Sequence, residues 1–104
     1  MKTALIPISH PGETLLEDFM KPLDLSCYRV AKDLGVQPIT ISLLVKGKRN
    51  ISPEMALRLS RYIGTSKGFW LNLQENYNLR VAERKLWKRI ESEVKPYQAV
   101  AVAC

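Results

Sequence analysis

The stretch from Cys27 to Leu44 constrains this chain more than any other. Cys27, Val30, Ala31 and Leu34 fall at i, i+3, i+4 and i+7, the spacing of one buried helical face. Ser26 stands before them as an N-cap, and Gly35 follows, where a left-handed backbone costs least. Pro38 suits the first turn of a second helix, Pro38 to Lys46, with Ile41, Leu44 and Val45 as its core face. Ala31 is small enough to let that helix approach, and Val36 plugs the corner. Two short helices locked across a turn of about three residues make a helix-turn-helix, whose second helix enters the DNA major groove.

Helical spacing recurs along the rest of the chain, and strand alternation is scarce. Residues 1–12 read as an extended N-terminal arm ending at His10-Pro11-Gly12. A first helix follows from Glu13 to Met20, with Leu15, Leu16 and Phe19 inward and Pro22 after it. Ser52 and Pro53 open a fourth helix that buries Ala56, Leu59 and Ile63 and stops at Gly64. A fifth helix starts at Thr65 or Ser66 and carries Phe69, Trp70, Leu73 and Tyr77 as core. A sixth, charged helix is expected from Val81 to Val94, ended by Pro96. The last six residues are apolar but short, which fits a frayed terminus or docking on a neighbouring subunit. The expected class is therefore all-α. A helix-turn-helix domain spans residues 13–79, and a C-terminal helix and tail span 80–104.

Charge is distributed unevenly. The net charge is +6, yet residues 1–25 carry more acids than bases. Residues 26–51 hold Arg29, Lys32, Lys46, Lys48 and Arg49 against Asp33 alone. A second basic block lies beyond residue 80. Such blocks suit a polyanion, nucleic acid first, or equally a solvated surface.

With Ile41, Leu44 and Val45 inward, a rotation of about 100° per residue turns Ile39, Leu43 and Lys46 outward, with Thr40 and Ser42 on the flanks. Gln37 lies at the helix start. Gln37, Thr40 and Ser42 can hydrogen-bond base edges, and Ile39 and Leu43 can meet thymine methyls. The rival reading makes Ile39 and Leu43 a protein-binding patch on a module that has lost DNA reading. Lys46, Lys48 and Arg49 follow at once and suit phosphate oxygens, which set register rather than sequence choice. One such module is small, and dimers on two half-sites are the usual solution.

Catalysis finds no support. The chain has no Gly-rich phosphate loop, nucleophile signature or metal-ligand spacing, so neither enzyme activity nor a cofactor or metal is expected. The one histidine, His10, reads as a capping or surface residue. Cys27 and Cys104 read as free thiols in a reducing cytoplasm, and no apolar run suits a membrane span.

Taken together, several strings resemble the HigA (VapI-like) antitoxins of the XRE-type, lambda-repressor-like helix-turn-helix group. They are His10-Pro-Gly-Glu13 with Leu15, Leu16 and Phe19, then Lys21-Pro-Leu-Asp-Leu-Ser26 and Tyr28-Arg-Val-Ala-Lys32. Gly47-Lys-Arg49, Ala56-Leu-Arg-Leu59 and Gly64-Thr-Ser66 follow. The most specific are Phe69-Trp-Leu-Asn-Leu-Gln74 and Tyr77-Asn-Leu79. The likeness covers residues 9–80. It implies a five-helix DNA-binding core and a homodimer that represses its own operon from an operator. It also implies neutralisation of a HigB-type toxin that cleaves mRNA, although some relatives look like stand-alone regulators. The chain departs from the pattern at Cys27, where Gln is common, and at Thr40 and Leu43, where charged residues are common. These departures bear on which operator it would read.

Overall fold

Helix starts and stops follow the Ser, Pro and Gly punctuation closely. The computed structural model describes residues 8–97, and within them five helices and no strand. They are α1 (Pro11–Thr14, widening into a π-helical segment Leu15–Met20), α2 (Cys27–Leu34), α3 (Pro38–Val45), α4 (Pro53–Ile63) and α5 (Phe69–Glu93). Most of the expected arm and the apolar tail lie outside the described residues, and so does Cys104; Cys27 is a free thiol.

Ser26 Oγ accepts from Arg29 N–H at 3.0 Å, and Ser52 Oγ from Met55 N–H at 3.1 Å, so both expected N-caps are made. Helix α2 ends in a Schellman motif. Val36 N–H reaches back to Ala31 C=O and Gly35 N–H to Lys32 C=O, with Gly35 left-handed at φ 77°. Asp24 takes the same role after the π-helical segment, at φ 56°, a conformation its short polar side chain tolerates. Lys21 N–H bonds Leu16 C=O at 2.9 Å, five residues back, which is the wider pitch itself.

Three boundaries differ from the sequence reading. Helix α1 starts at Pro11, inside the expected arm, because His10 caps it. Helix α5 starts at Phe69 rather than Thr65 or Ser66, because Thr65 bonds locally to Ser66 C=O and Phe69 N–H closes a turn on Ser66. The separate sixth helix is instead the second half of α5. No Gly or Pro interrupts Phe69–Glu93, and Asn78 costs a helix only about 0.7 kcal/mol. Residue 79, the expected end of the core, therefore lies within a continuous helix.

The core gathers Leu15, Met20, Val30, Ala31, Leu34, Ile41, Leu44, Ala56 and Leu59 around the fully buried Trp70. The Trp70 ring meets Phe19 at 5.5 Å and Phe69 at 5.0 Å between centroids, the latter edge-on. Helices α2 and α3 pack directly on one another, α1 covers the end of α3, and α4 lies under α2. Beyond Gln74, α5 has no fully buried residue and projects from the body.

Candidate nucleic-acid interface

Helix α3 owes its exposure to what lies behind it. Ile41 and Leu44 are fully buried against α2, so the opposite side has no protein neighbour to meet. Ile39 is 59% exposed, Gln37 is exposed, and Thr40, Ser42 and Leu43 are half-buried along the rim. Gln37 occupies the N-cap position, yet its side chain makes no cap bond. Of the expected inward face Ile41 and Leu44 are buried and Val45 is half-buried, while Leu43, expected outward with Ile39 and Lys46, is half-buried too because it flanks the buried Leu44.

The chain leaves α3 through a second Schellman motif. Lys48 N–H bonds Leu43 C=O at 2.9 Å and Gly47 N–H bonds Leu44 C=O at 3.0 Å. Gly47 stands at φ 75°, which a side chain would strain. Lys46, Lys48 and Arg49 are thus set around a fixed reversal, and all three are exposed. Thr40 and Arg49 come together in one cleft of 240 Å³, which Ser52 and Glu54 at the start of α4 and Arg58 midway along it also line.

Positive charge dominates this region because its two acids, Asp33 and Glu54, are both engaged. Asp33 accepts from Tyr62 Oη at 2.5 Å and from Arg29 Nε at 2.7 Å. Those bonds hold its carboxyl below the usual carboxylate range, with Tyr62 the larger cause and Arg29 next, and they raise the Tyr62 hydroxyl and Arg29 in return. Tyr62 lies on α4, so the contact also pins α2. Arg58 does the same at the turn. Its Nη1 donates to Leu34 C=O at 2.7 Å, filling a carbonyl that the end of α2 leaves open, and its Nε and Nη2 grip Glu54.

The residues that sequence reasoning missed are those that hold the basic loop from behind. Gln74 on α5 is 4% exposed. Its Oε1 accepts from Ile51 N–H at 2.7 Å, and its Nε2 donates to Asn50 Oδ1 at 3.2 Å and Asn78 Oδ1 at 3.0 Å. His10 caps α1: its Nδ1 accepts from Gly12 N–H at 2.9 Å. Capping was one of the two roles expected for it, but the ring is buried at 7% exposure rather than on the surface. A polar residue separated by 23 positions from its partner carries no local signal, which is why Gln74 escaped notice. Among the described residues no group of three His, Cys, Asp or Glu gathers to hold a metal, and no helix is long and apolar enough to cross a membrane.

Comparison with known proteins fits this geometry. Residues 16–70 match the family described as helix-turn-helix. Virulence-associated protein I of Dichelobacter nodosus is 44% identical over 79 residues, 76% of this chain and 73% of that protein. Antitoxin HigA-1 of Vibrio cholerae is 33% identical over 78 residues, 75% of this chain and 72% of the other. A solved structure described as Pseudomonas aeruginosa antitoxin HigA with higBA promoter superposes with a TM-score of 0.86 at 40% identity, covering 88% of this chain and 100% of that one.

Proposed function

Since the chain belongs to the helix-turn-helix family, in the group that includes the HigA antitoxins and virulence-associated protein I, we propose that it is a DNA-binding antitoxin that represses its own operon and neutralises an mRNA-cleaving, HigB-type toxin. The observation that carries the reading is the outward face of α3 running straight into a fixed basic reversal, in a fold shared with a HigA that was solved with its promoter. In this reading Gln37, Thr40 and Ser42 hydrogen-bond base edges, and Ile39 and Leu43 pack on thymine methyls. Lys46, Lys48 and Arg49 hold phosphates. The protein acts as a homodimer on double-stranded operator DNA, without a cofactor and without catalysing a reaction itself. Its place is the cytoplasm, where both operator and toxin are met.

The test is titration of the purified chain with DNA from upstream of its own operon over a range of salt. Replacing Lys46, Lys48 and Arg49 together by Ala should weaken all sequences alike and flatten the slope of log K against log salt by about 0.9 for each phosphate no longer neutralised. Exchanging Thr40 should instead change which sequence is preferred. Unchanged binding by the triple variant overturns the interface.

The exposure of Ile39 favours one other reading, a protein-docking face in place of DNA readout. Leu43→Glu separates the two: it abolishes operator binding if α3 reads DNA, and spares it if the face binds protein. Co-expression with the neighbouring open reading frame separates an antitoxin from a stand-alone regulator.

A further inference from the structure

The buried His10 ring lies between the basic loop of the proposed interface and α5. Its Nδ1 accepts the Gly12 N–H, which fixes the neutral tautomer with the proton on Nε2. That Nε2 is buried without a hydrogen-bond partner. One side of the ring packs on the basic reversal, where a Cβ placed on Gly47 would lie 3.7 Å from the His10 Cβ and Cγ. The other side meets Tyr77 of α5 edge-on at 4.8 Å between centroids. Asn50, at the end of the same loop, is bound to Gln74. The imidazole is thus the wedge between α1, α5 and the loop that carries Lys46, Lys48 and Arg49.

We infer that His10 is a proton-sensitive positioning residue: neutral, it seats the phosphate-binding loop, and protonated, it unseats it and weakens DNA binding. The step is a simple proton gain. An imidazolium carries N–H on both nitrogens, so Nδ1 can no longer accept from Gly12, and two donors then face each other. The charge would also sit in a site that offers no anion. Within about a turn of the groups that touch the ring stand Glu13 of α1, Lys46, Lys48 and Arg49 around Gly47, and Glu75, Tyr77 and Arg80 of α5. The carboxylates among them, Glu13 and Glu75, are both exposed to solvent. Burial accordingly pushes the His10 pKa below 6.5, opposed in part by the Asn50 side chain. For a base with a lowered folded pKa, the unfolded chain takes up the proton first. Stability is therefore complete above 6.5 and declines as pH falls below it towards the folded pKa.

The sequence holds one histidine, so few other side chains titrate in this window. The experiment compares the full-length chain with His10→Asn and His10→Gln, whose amides can still accept from Gly12 but do not titrate. Urea unfolding, the Cε1–H chemical shift and operator binding are followed between about pH 7.5 and about pH 5.5. The native protein should titrate below 6.5, lose stability on acidification and bind operator less tightly at the acid end, by a factor below about ten, whereas the amide variants stay level. The idea is overturned by a titration at or above 6.5, by equal pH dependence in the variants, or by tighter binding in acid, which would mean that the imidazolium grips phosphate. Should neither variant fold, the shift titration of the native chain decides by the same threshold. The affinity readout rests on the proposed DNA binding, but the unfolding and chemical-shift readouts do not. No binding at any pH would thus defeat that reading and leave those two readouts to decide the role of His10.

Discussion

Gly12→Ala measures how tightly α1 is set against the end of α3. A Cβ at residue 12 would fall inside the Leu44 carbonyl oxygen, 2.7 Å from its carbon and 3.1 Å from Val45 Cα. The obstacle is backbone, so no rotamer relieves it. The Leu44 oxygen lies 1.8 Å from that Cβ, and an ordinary C···O contact of about 3.3 Å needs the two helices to part by roughly 1.5 Å; a gap of that size forfeits about half or more of each dispersion contact it opens. Overpacking of this kind costs about 1–3 kcal/mol, and an immovable backbone puts it at the upper end. Replacing a helical Gly by Ala returns up to about 1 kcal/mol. The net expectation is a destabilisation of about 2 kcal/mol, a large share of a domain stability of about 5–15 kcal/mol. Urea unfolding followed by circular dichroism measures it, with the midpoint falling at constant slope. Gly68→Ala is the control: its Cβ would meet only Asn72 Nδ2 at 3.7 Å, and its effect should stay within about 0.5 kcal/mol. A Gly12→Ala midpoint equal to the native one would refute the close approach of the two helices.

Two further perturbations probe the supports of the basic loop. Gln74→Leu leaves the buried Ile51 N–H without an acceptor and should cost about 1–3 kcal/mol in urea unfolding, with faster amide exchange at Ile51 than elsewhere in the core. Ser52→Ala removes the cap from Met55 N–H and should cost about 1 kcal/mol, whereas Ser52→Asp should restore it.

The helix-turn-helix is legible because each of its limits is a local event. Ser26, Gly35, Pro38 and Gly47 act within a few residues of themselves, and the burial of Val30, Ala31, Ile41 and Leu44 follows from spacing alone. The outward face of α3 comes with it, since the side opposite a buried stripe is fixed by geometry. What escapes depends on distant partners. The cap at His10 is an uncommon residue in that role, so the start of α1 is hidden. The π-helical pitch of Leu15–Met20 follows no apolar period. Arg58 reaching Leu34 C=O, and Gln74 reaching Ile51, join residues more than twenty apart and leave no periodic trace. Residues 78–80 show the opposite error, where a change in composition suggests a boundary and the backbone has none.

That unbroken passage through residue 79 has a geometric consequence. The apolar side chains of the distal stretch, Leu79, Leu86, Trp87 and Ile90, are clocked to the basic loop and the outward face of α3 by residue count, because one rigid rod carries both them and the Gln74 anchor. Inserting a single residue after Leu79 would advance Leu86, Trp87 and Ile90 by about 1.5 Å and swing them through about 100°. Reach and bearing cannot be tuned separately, as a jointed linker would allow. Whatever those side chains grasp is held at one azimuth relative to the outward face of α3.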